Sequence, residues 1–183
     1  MIKKIIIKNT DICKYTKNLV RTTNKLESRI ENEVEKIIDR VRKDGDKALL
    51  FFAKKFDNCV LNKKSIKIKR SDINKFAKKC PKDIEKALFF SAERIKKFHQ
   101  YQKPNNFKFQ DKQGVLLGSK WLPIYSVGIY VPGGTALYPS SILMNSIPAK
   151  IAGVKKIVMV MPQKNKDLNP IIAKAAQIAK VDE

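Results

Sequence analysis

The first half of the chain carries apolar residues at helical spacing. From Glu27 onward they recur at steps of three and four residues, which is the period of an amphipathic α-helix. Gly45 predicts the end of this helix, because glycine readily takes the left-handed conformation that follows a helix. A second helix is predicted directly after it. In the first helix the apolar positions are Ile30, Val34, Ile37, Ile38 and Val41. In the second helix they are Ala48, Leu49, Phe52 and Phe56, and we expect these four residues to be buried.

Three further elements are predicted between residues 66 and 104. Ile66 and Ile68 alternate with lysines, as in a half-buried strand. Ser71 is expected to cap a short helix, since a serine side chain can accept a hydrogen bond from the free amides of the first turn. Pro81 suits the first turn of a longer helix that continues to about Gln102.

The pattern changes near residue 114, since six of the seven glycines lie between Gly114 and Gly153. Two short apolar runs predict a hairpin, and the runs beyond it predict strand, helix, strand and helix, an order typical of a parallel α/β unit. The predicted ranges are 107–110 and 115–117 for the hairpin, then 127–131, 140–152, 154–161 and a helix from Asn169 and Pro170 through Lys180. A third strand is expected to begin at residue 181. By itself, this pattern predicts the N-terminal piece of a larger protein.

Composition places the chain among globular proteins. It has 183 residues, of which 43% are apolar, enough for a buried core. No apolar run approaches the roughly 18–20 residues that span a membrane, and the first residues lack the long apolar core of a secretion signal. Three cysteines without CxxC spacing fit the reducing cytoplasm and argue against a disulfide framework or a cysteine-based zinc site.

A formal net charge of +22 is the argument for a nucleic-acid-binding module, in which lysines contact phosphates and exposed rings stack on bases. The candidate rings are Phe98, Tyr101, Phe107 and Phe109. Against this interpretation, the excess consists of 33 lysines and only 6 arginines, alongside 22 isoleucines and 12 asparagines. Lysine, isoleucine and asparagine all have A/T-rich codons, so codon bias alone would produce the pattern. We keep nucleic-acid binding as the alternative and do not expect nucleic acid to be the main partner.

Two positions carry candidate chemistry. His99 is the single histidine and lies on an apolar-bearing helix without the clustered ligands that zinc needs, so a structural role is favoured. Tyr130 ends a predicted buried strand and precedes Pro132-Gly133-Gly134. Ligands of parallel α/β sheets bind beyond the carboxyl ends of strands. The residues alone fit both a binding loop and a tight structural turn, and Tyr130 fits both a stacking surface and a core position.

The glycine-rich run resembles the histidinol dehydrogenase family. The resemblance is carried by Val127-Gly-Ile-Tyr-Val-Pro-Gly-Gly-Thr-Ala136, Tyr138-Pro-Ser-Ser-Ile-Leu-Met-Asn145 and Pro148-Ala-Lys-Ile-Ala-Gly-Val154. Upstream, Val41-Arg-Lys-Asp-Gly-Asp-Lys-Ala-Leu49, Lys55-Phe-Asp57, Phe98-His-Gln-Tyr-Gln102 and Gly114-Val-Leu-Leu-Gly118 agree in order, as does Val181-Asp-Glu183 at the end. The resemblance therefore covers nearly the whole chain.

This resemblance implies an NAD-dependent, zinc-containing enzyme that oxidises L-histidinol to L-histidine through an aldehyde, with two hydride transfers to two NAD molecules. It also implies a homodimer, and a glutamate–histidine pair that performs the acid/base chemistry. Tyr130 is the residue that it assigns to NAD binding. The catalytic pair and the zinc ligands would lie beyond residue 183, so no catalytic or metal residue is expected within this chain, and the fragment alone is expected to be inactive.

The resemblance also implies a domain organisation. Residues 1–26 would form an N-terminal arm, and residues 27–126 the helix-rich first part of a discontinuous α/β domain. Residues 127–183 would form the opening βαβα of a second α/β domain that is incomplete here. The expected fold class is α/β, an incomplete Rossmann-like parallel unit preceded by a helix-rich N-terminal segment.

Overall fold

A computed structural model describes residues 29–133, 136–162 and 168–183. The chain divides into two compact units, Met1–Phe51 and Phe52–Glu183. The helices are α1 (29–44), α2 (Asp46–Asp57), α3 (Arg70–Ala77), α4 (Lys82–Gln102), α5 (Pro139–Ala152) and α6 (Pro170–Ile178). The strands are β1 (Phe107–Gln110), β2 (Leu116–Ser119), β3 (Ser126–Tyr130) and β4 (Lys156–Val160). The predicted arm at residues 1–26 lies outside the described residues.

Gly45 separates α1 from α2, as predicted. Its φ of +56° is left-handed, and its N–H donates to the Val41 carbonyl at 2.8 Å. The expected burial along α2 is wrong in part: Ala48 is buried, but Leu49 and Phe56 are exposed and Phe52 is half-buried. Helical spacing indicates which residues share a face, whereas burial depends on what packs against that face.

The predicted strand at Ile66 and Ile68 is absent, and a turn precedes α3 instead. The Asn62 side-chain oxygen accepts the N–H groups of Lys64 and Ser65, both at 2.9 Å. Such a side-chain turn competes with strand formation because it bends the backbone locally.

The cap predicted for α3 is also wrong, since Lys69 occupies the N-cap position without a side-chain hydrogen bond and Ser71 lies inside the first turn. Pro81 takes the N-cap position of α4, one residue outside the helix. Its restricted φ is compatible with either position.

The predicted hairpin is confirmed, with β1 and β2 antiparallel and Phe107 opposite Ser119. Its turn is built by Asp111, whose side chain accepts the N–H groups of Gln113 (2.9 Å) and Val115 (2.8 Å). Gly114 completes the turn at φ +85°, a conformation that glycine adopts without steric cost.

The α/β unit is confirmed as well, because β3 and β4 pair in parallel with Ile129 opposite Met159. Gly153 ends α5 in the left-handed conformation, at φ +99°. Asn169 caps α6, accepting the Ile171 N–H at 2.9 Å. The fold class is therefore α/β, as the sequence predicts.

One face of the β3–β4 sheet is covered by helices. Helices α5 and α6 pack against each other, α4 packs on both, and α3 packs on α6. Ile129 in β3 and Val131 directly after it are buried, whereas Gly128 and Tyr130, which alternate with them, are exposed. Both the helices and the strands contribute residues to the hydrophobic core. These include Leu88, Ala92, Ile129, Val131, Ile142, Leu143, Ile147, Ile157, Ile172, Ala173 and Ala176.

Residues 181–183 extend the sheet. The Glu183 N–H donates to the Ile157 carbonyl at 3.2 Å, and the Met159 N–H donates to the Glu183 carbonyl at 2.7 Å. This is the hydrogen-bond pattern of a parallel bridge. Val160 directs its backbone carbonyl to β3, so Ile157 and Met159 present theirs to the opposite edge. The order is therefore β3, β4 and then residues 181–183.

Candidate cofactor-binding site

The carboxyl ends of β3 and β4 meet at one edge of the sheet because the strands are parallel. Tyr130 lies opposite Val160 in the register. The pairing continues one residue further, since the Val131 N–H donates to the Val160 carbonyl at 2.9 Å. Ligands of parallel α/β sheets bind beyond this kind of edge.

Tyr130 is the aromatic residue that the strand presents at this edge. Tyr130 is 65% exposed, whereas its neighbours Ile129 and Val131 are buried in the core. The alternation of a strand places Tyr130 on the face opposite the helices. The core position considered for this tyrosine is thereby wrong, and its ring and hydroxyl are accessible to a ligand.

Gly133 follows Tyr130 in the loop and has a packing role. A Cβ at this position would lie 2.8 Å from the Pro162 carbonyl oxygen, closer than real Cβ contacts allow. The loop after β3 therefore runs against the backbone of the loop after β4, and glycine is required for that approach. Gly134, which the sequence also singled out, lies outside the described residues, as does Thr135.

Helix α5 is the next element along the chain and begins at Pro139, whereas β3 ends at Tyr130. Pro139 occupies its first turn, and Tyr138 at the N-cap position supplies no side-chain hydrogen bond to the free amides. The amides of a helix start carry partial positive charge and favour anionic groups. At α5, however, Pro139 has no N–H and the Ser141 N–H donates to the Tyr138 carbonyl at 3.2 Å, so neither offers an amide to a ligand.

The carboxylates near the sheet are held in ion pairs. Burial raises the pKa of Asp182, but hydrogen bonds from Lys150 Nζ (2.7 Å) and the Ile157 N–H (2.8 Å) outweigh it, so that pKa lies below its ordinary value. Hydrogen bonds from Lys67 and Lys156 lower the pKa of Glu183. Both carboxylates therefore fasten residues 181–183 beside β4, and sequence reasoning missed this role because their partners are distant in sequence.

A further ion pair joins α6 to α4. Lys174 is buried and donates to Glu85 at 3.0 Å and to the Gln177 side chain at 3.2 Å. The hydrogen bond from Lys174 lowers the pKa of Glu85. Beside this pair, burial raises the pKa of the Cys80 thiol, which disfavours the reactive thiolate. These groups support helix packing.

No metal site can be built from the part of the chain that the structure describes, since no three His, Cys, Asp or Glu side chains cluster there. His99 is half-buried on α4, with its Nδ1 in hydrogen-bond contact with the Gln102 side-chain oxygen. The described residues therefore offer zinc no donor set.

The rings considered for stacking on nucleic acid are all exposed. Phe98 and Tyr101 lie on α4, while Phe107 and Phe109 lie on β1, stacked with 6.4 Å between centroids. They therefore belong to two separate elements.

Among the helices that the structure describes, none combines the length and the apolar character that a membrane span requires.

Comparison with known proteins decides the family. The sequence model described as histidinol dehydrogenase matches residues 20–183. The chain belongs to the histidinol dehydrogenase family. This confirms the resemblance carried by the glycine-rich run.

Several relatives show how much of the family fold is present. The histidinol dehydrogenase of Brucella abortus (strain 2308) is 45% identical over 154 residues, which are 84% of this chain and 36% of that protein. The histidinol dehydrogenase of Listeria monocytogenes is 45% identical over 162 residues, 88% of this chain and 37% of that protein. The crystal structure of histidinol dehydrogenase from Elizabethkingia anophelis matches with a TM-score of 0.76 at 31% identity, over 83% of this chain and 35% of that one. The chain thus spans little more than a third of the length of these histidinol dehydrogenases.

Proposed function

We propose that this chain is the N-terminal part of an NAD-dependent, zinc-containing histidinol dehydrogenase that oxidises L-histidinol to L-histidine through the aldehyde. The observation that supports this most directly is the exposed Tyr130 at the carboxyl edge of the β3–β4 sheet. It lies within the run that carries the family resemblance.

In this proposal the chain binds and orients NAD. The Tyr130 ring offers a flat surface, and its hydroxyl offers a hydrogen bond to the cofactor. The contact between Gly133 and Pro162 holds the loop behind the tyrosine. NAD would accept the hydride in each oxidation step.

Zinc binding and proton transfer are assigned to other parts of the enzyme. The described residues supply no cluster of metal ligands, and their carboxylates near the sheet are held by lysines. General acid–base catalysis typically contributes about 10²–10⁴-fold in rate. We therefore propose that this chain by itself is inactive.

The organisation proposed for the whole enzyme follows the family. Residues 1–26 form an arm, residues 27–126 belong to a discontinuous first α/β domain, and residues 127–183 open the second. The enzyme is a homodimer. It acts in the cytoplasm, and the free thiols of Cys59 and Cys80 agree with that reducing compartment.

Tyr130 provides the test of this proposal. NAD affinity is measured on this chain by ligand-observed NMR, for the natural sequence, Tyr130→Phe and Tyr130→Ala. Loss of a hydroxyl hydrogen bond costs about 0.5–1.5 kcal/mol, so Tyr130→Phe should weaken NAD binding roughly two- to twelve-fold and Tyr130→Ala should weaken it further.

The matched control is Tyr125→Ala, since Tyr125 is an exposed tyrosine that immediately precedes the other end of β3. It should leave the NAD dissociation constant unchanged. Equal NAD affinity in Tyr130→Ala and the natural chain would refute the cofactor role of Tyr130.

A further inference from the structure

A cleft of about 580 Å³ lies in the second unit, at the amino end of β3. It is formed by the last turns of α4 and α5 together with the loops at residues 103–106 and 121–123. Its volume falls within the roughly 300–1,000 Å³ of small-molecule sites. The lining includes His99, Lys103, Asn106, Trp121, Pro148 and Ile151.

The two loops of this cleft are fastened in place. The Asn106 side-chain oxygen accepts the Trp121 N–H at 2.7 Å, which ties one loop to the other. Pro123 lies against the end of α5, where a Cβ on Gly153 would come within 3.3 Å of the proline ring. These contacts tie the two loops to each other and to the end of α5.

The residues that line the cleft provide one large aromatic ring, an apolar surface and one cationic side chain. Trp121 is 60% exposed and its ring offers a stacking surface, while Pro148 and Ile151 supply apolar contact area. Lys103 is exposed at the rim, and none of the lining residues, all in the described part of the chain, is acidic.

His99 adds a directional polar group. Its Nδ1 is in hydrogen-bond contact with the Gln102 side-chain oxygen, which fixes the orientation of the ring.

We propose that this cleft binds a planar heteroaromatic anion, with its ring stacked on Trp121 and its anionic group paired with Lys103. The site is separate from the edge at Tyr130. The cleft lies at the amino end of β3, whereas Tyr130 is the last residue of β3. A five-residue strand spans about 17 Å, which separates the two sites. The proposal therefore does not depend on the proposed NAD role of Tyr130.

Trp121 is the single tryptophan of the chain, so intrinsic fluorescence reports directly on this cleft. The chain is titrated at physiological salt with three probes: AMP, which carries both a ring and an anionic group; adenosine, which carries the ring alone; and inorganic phosphate. We expect saturable quenching by AMP, weaker binding of adenosine and no saturable change with phosphate.

Lys103→Ala should weaken AMP binding by roughly fivefold, the upper range for an exposed ion pair. Lys108→Ala on β1 makes the same charge change outside the cleft and should leave the AMP constant unchanged, as should Tyr130→Ala. Both lysines are exposed, so these variants should keep the circular dichroism of the natural chain.

Absence of saturable quenching by AMP would overturn the proposal. Equal weakening by Lys103→Ala and Lys108→Ala would also overturn it, because the signal would then follow net charge. Equal affinity for AMP and phosphate would show that the tryptophan ring contributes nothing.

Discussion

Substitution of Gly133 by alanine should destabilise the loop that follows β3. The added Cβ would lie 2.8 Å from the Pro162 carbonyl oxygen and 3.5 Å from its Cδ, while ordinary contacts begin near 3.4 Å. The two loops must therefore separate by about 0.6 Å. Because the atom met is a backbone oxygen, a side-chain rotation cannot relieve the contact.

The expected cost of Gly133→Ala is about 1–3 kcal/mol, the usual range when extra volume forces backbone shifts. For a chain of this size each kcal/mol lowers Tm by roughly 2–4 °C, so Tm should fall by about 2–12 °C. Thermal unfolding followed by circular dichroism measures the fall, and urea denaturation gives the free energy directly.

Gly128→Ala is the matched control, because a Cβ at Gly128 on the exposed face of β3 would meet nothing within 4 Å. Replacing glycine where the new side chain fits stabilises by about 0.4–1 kcal/mol through the unfolded chain. Gly133→Ala should therefore be clearly less stable than Gly128→Ala. If the two variants unfold at the same temperature, the contact with Pro162 does not constrain the loop and the reasoning is wrong.

Three further outcomes are expected. Ile157→Ala should lose about 2–5 kcal/mol because Ile157 is fully buried, whereas Val160→Ala, at a position 55% exposed on the same strand, should change stability by less than about 0.5 kcal/mol in urea denaturation. The pKa values of Asp182 and Glu183 are lowered on folding, so their stabilisation is complete above their ordinary values of 3.8 and 4.5 and is lost as pH falls through the lower folded values. Tm measured from pH 7 to pH 3 should drop in this acid range, and by less in Asp182→Asn. Finally, this chain should give no histidinol-dependent NADH absorbance with added zinc, and zinc-dependent turnover would contradict its proposed inactivity.

Local sequence was sufficient for elements whose signals involve neighbouring residues. Gly45 and Gly153 end helices because their backbone takes the left-handed conformation, and Asn169 caps α6 through its own side chain. The Asp111 turn and the parallel β3–β4 unit were likewise predictable from nearby residue types and apolar runs. The family was identifiable because the run from Val127 to Val154 preserves a specific order of residues.

The same local reasoning failed where a competing local bond or a distant neighbour decides the outcome. Asn62 bends the backbone ahead of Ile66, which replaces the expected strand with a turn. Leu49 and Phe56 share an apolar helix face but remain exposed, because a periodic pattern does not show what packs against that face.

The candidate site divides in the same way. Sequence by itself singled out Tyr130 and the glycines after it, since a strand followed by a glycine turn is a local pattern. Only the tertiary structure decided that Tyr130 is exposed and that Gly133 is required by Pro162, because that contact joins loops nearly thirty residues apart. The pairing of Asp182 with Lys150, 32 residues earlier, depends on the same long-range folding. Such contacts arise when the parallel crossover brings residues that are distant in sequence next to one another, which no local spacing records.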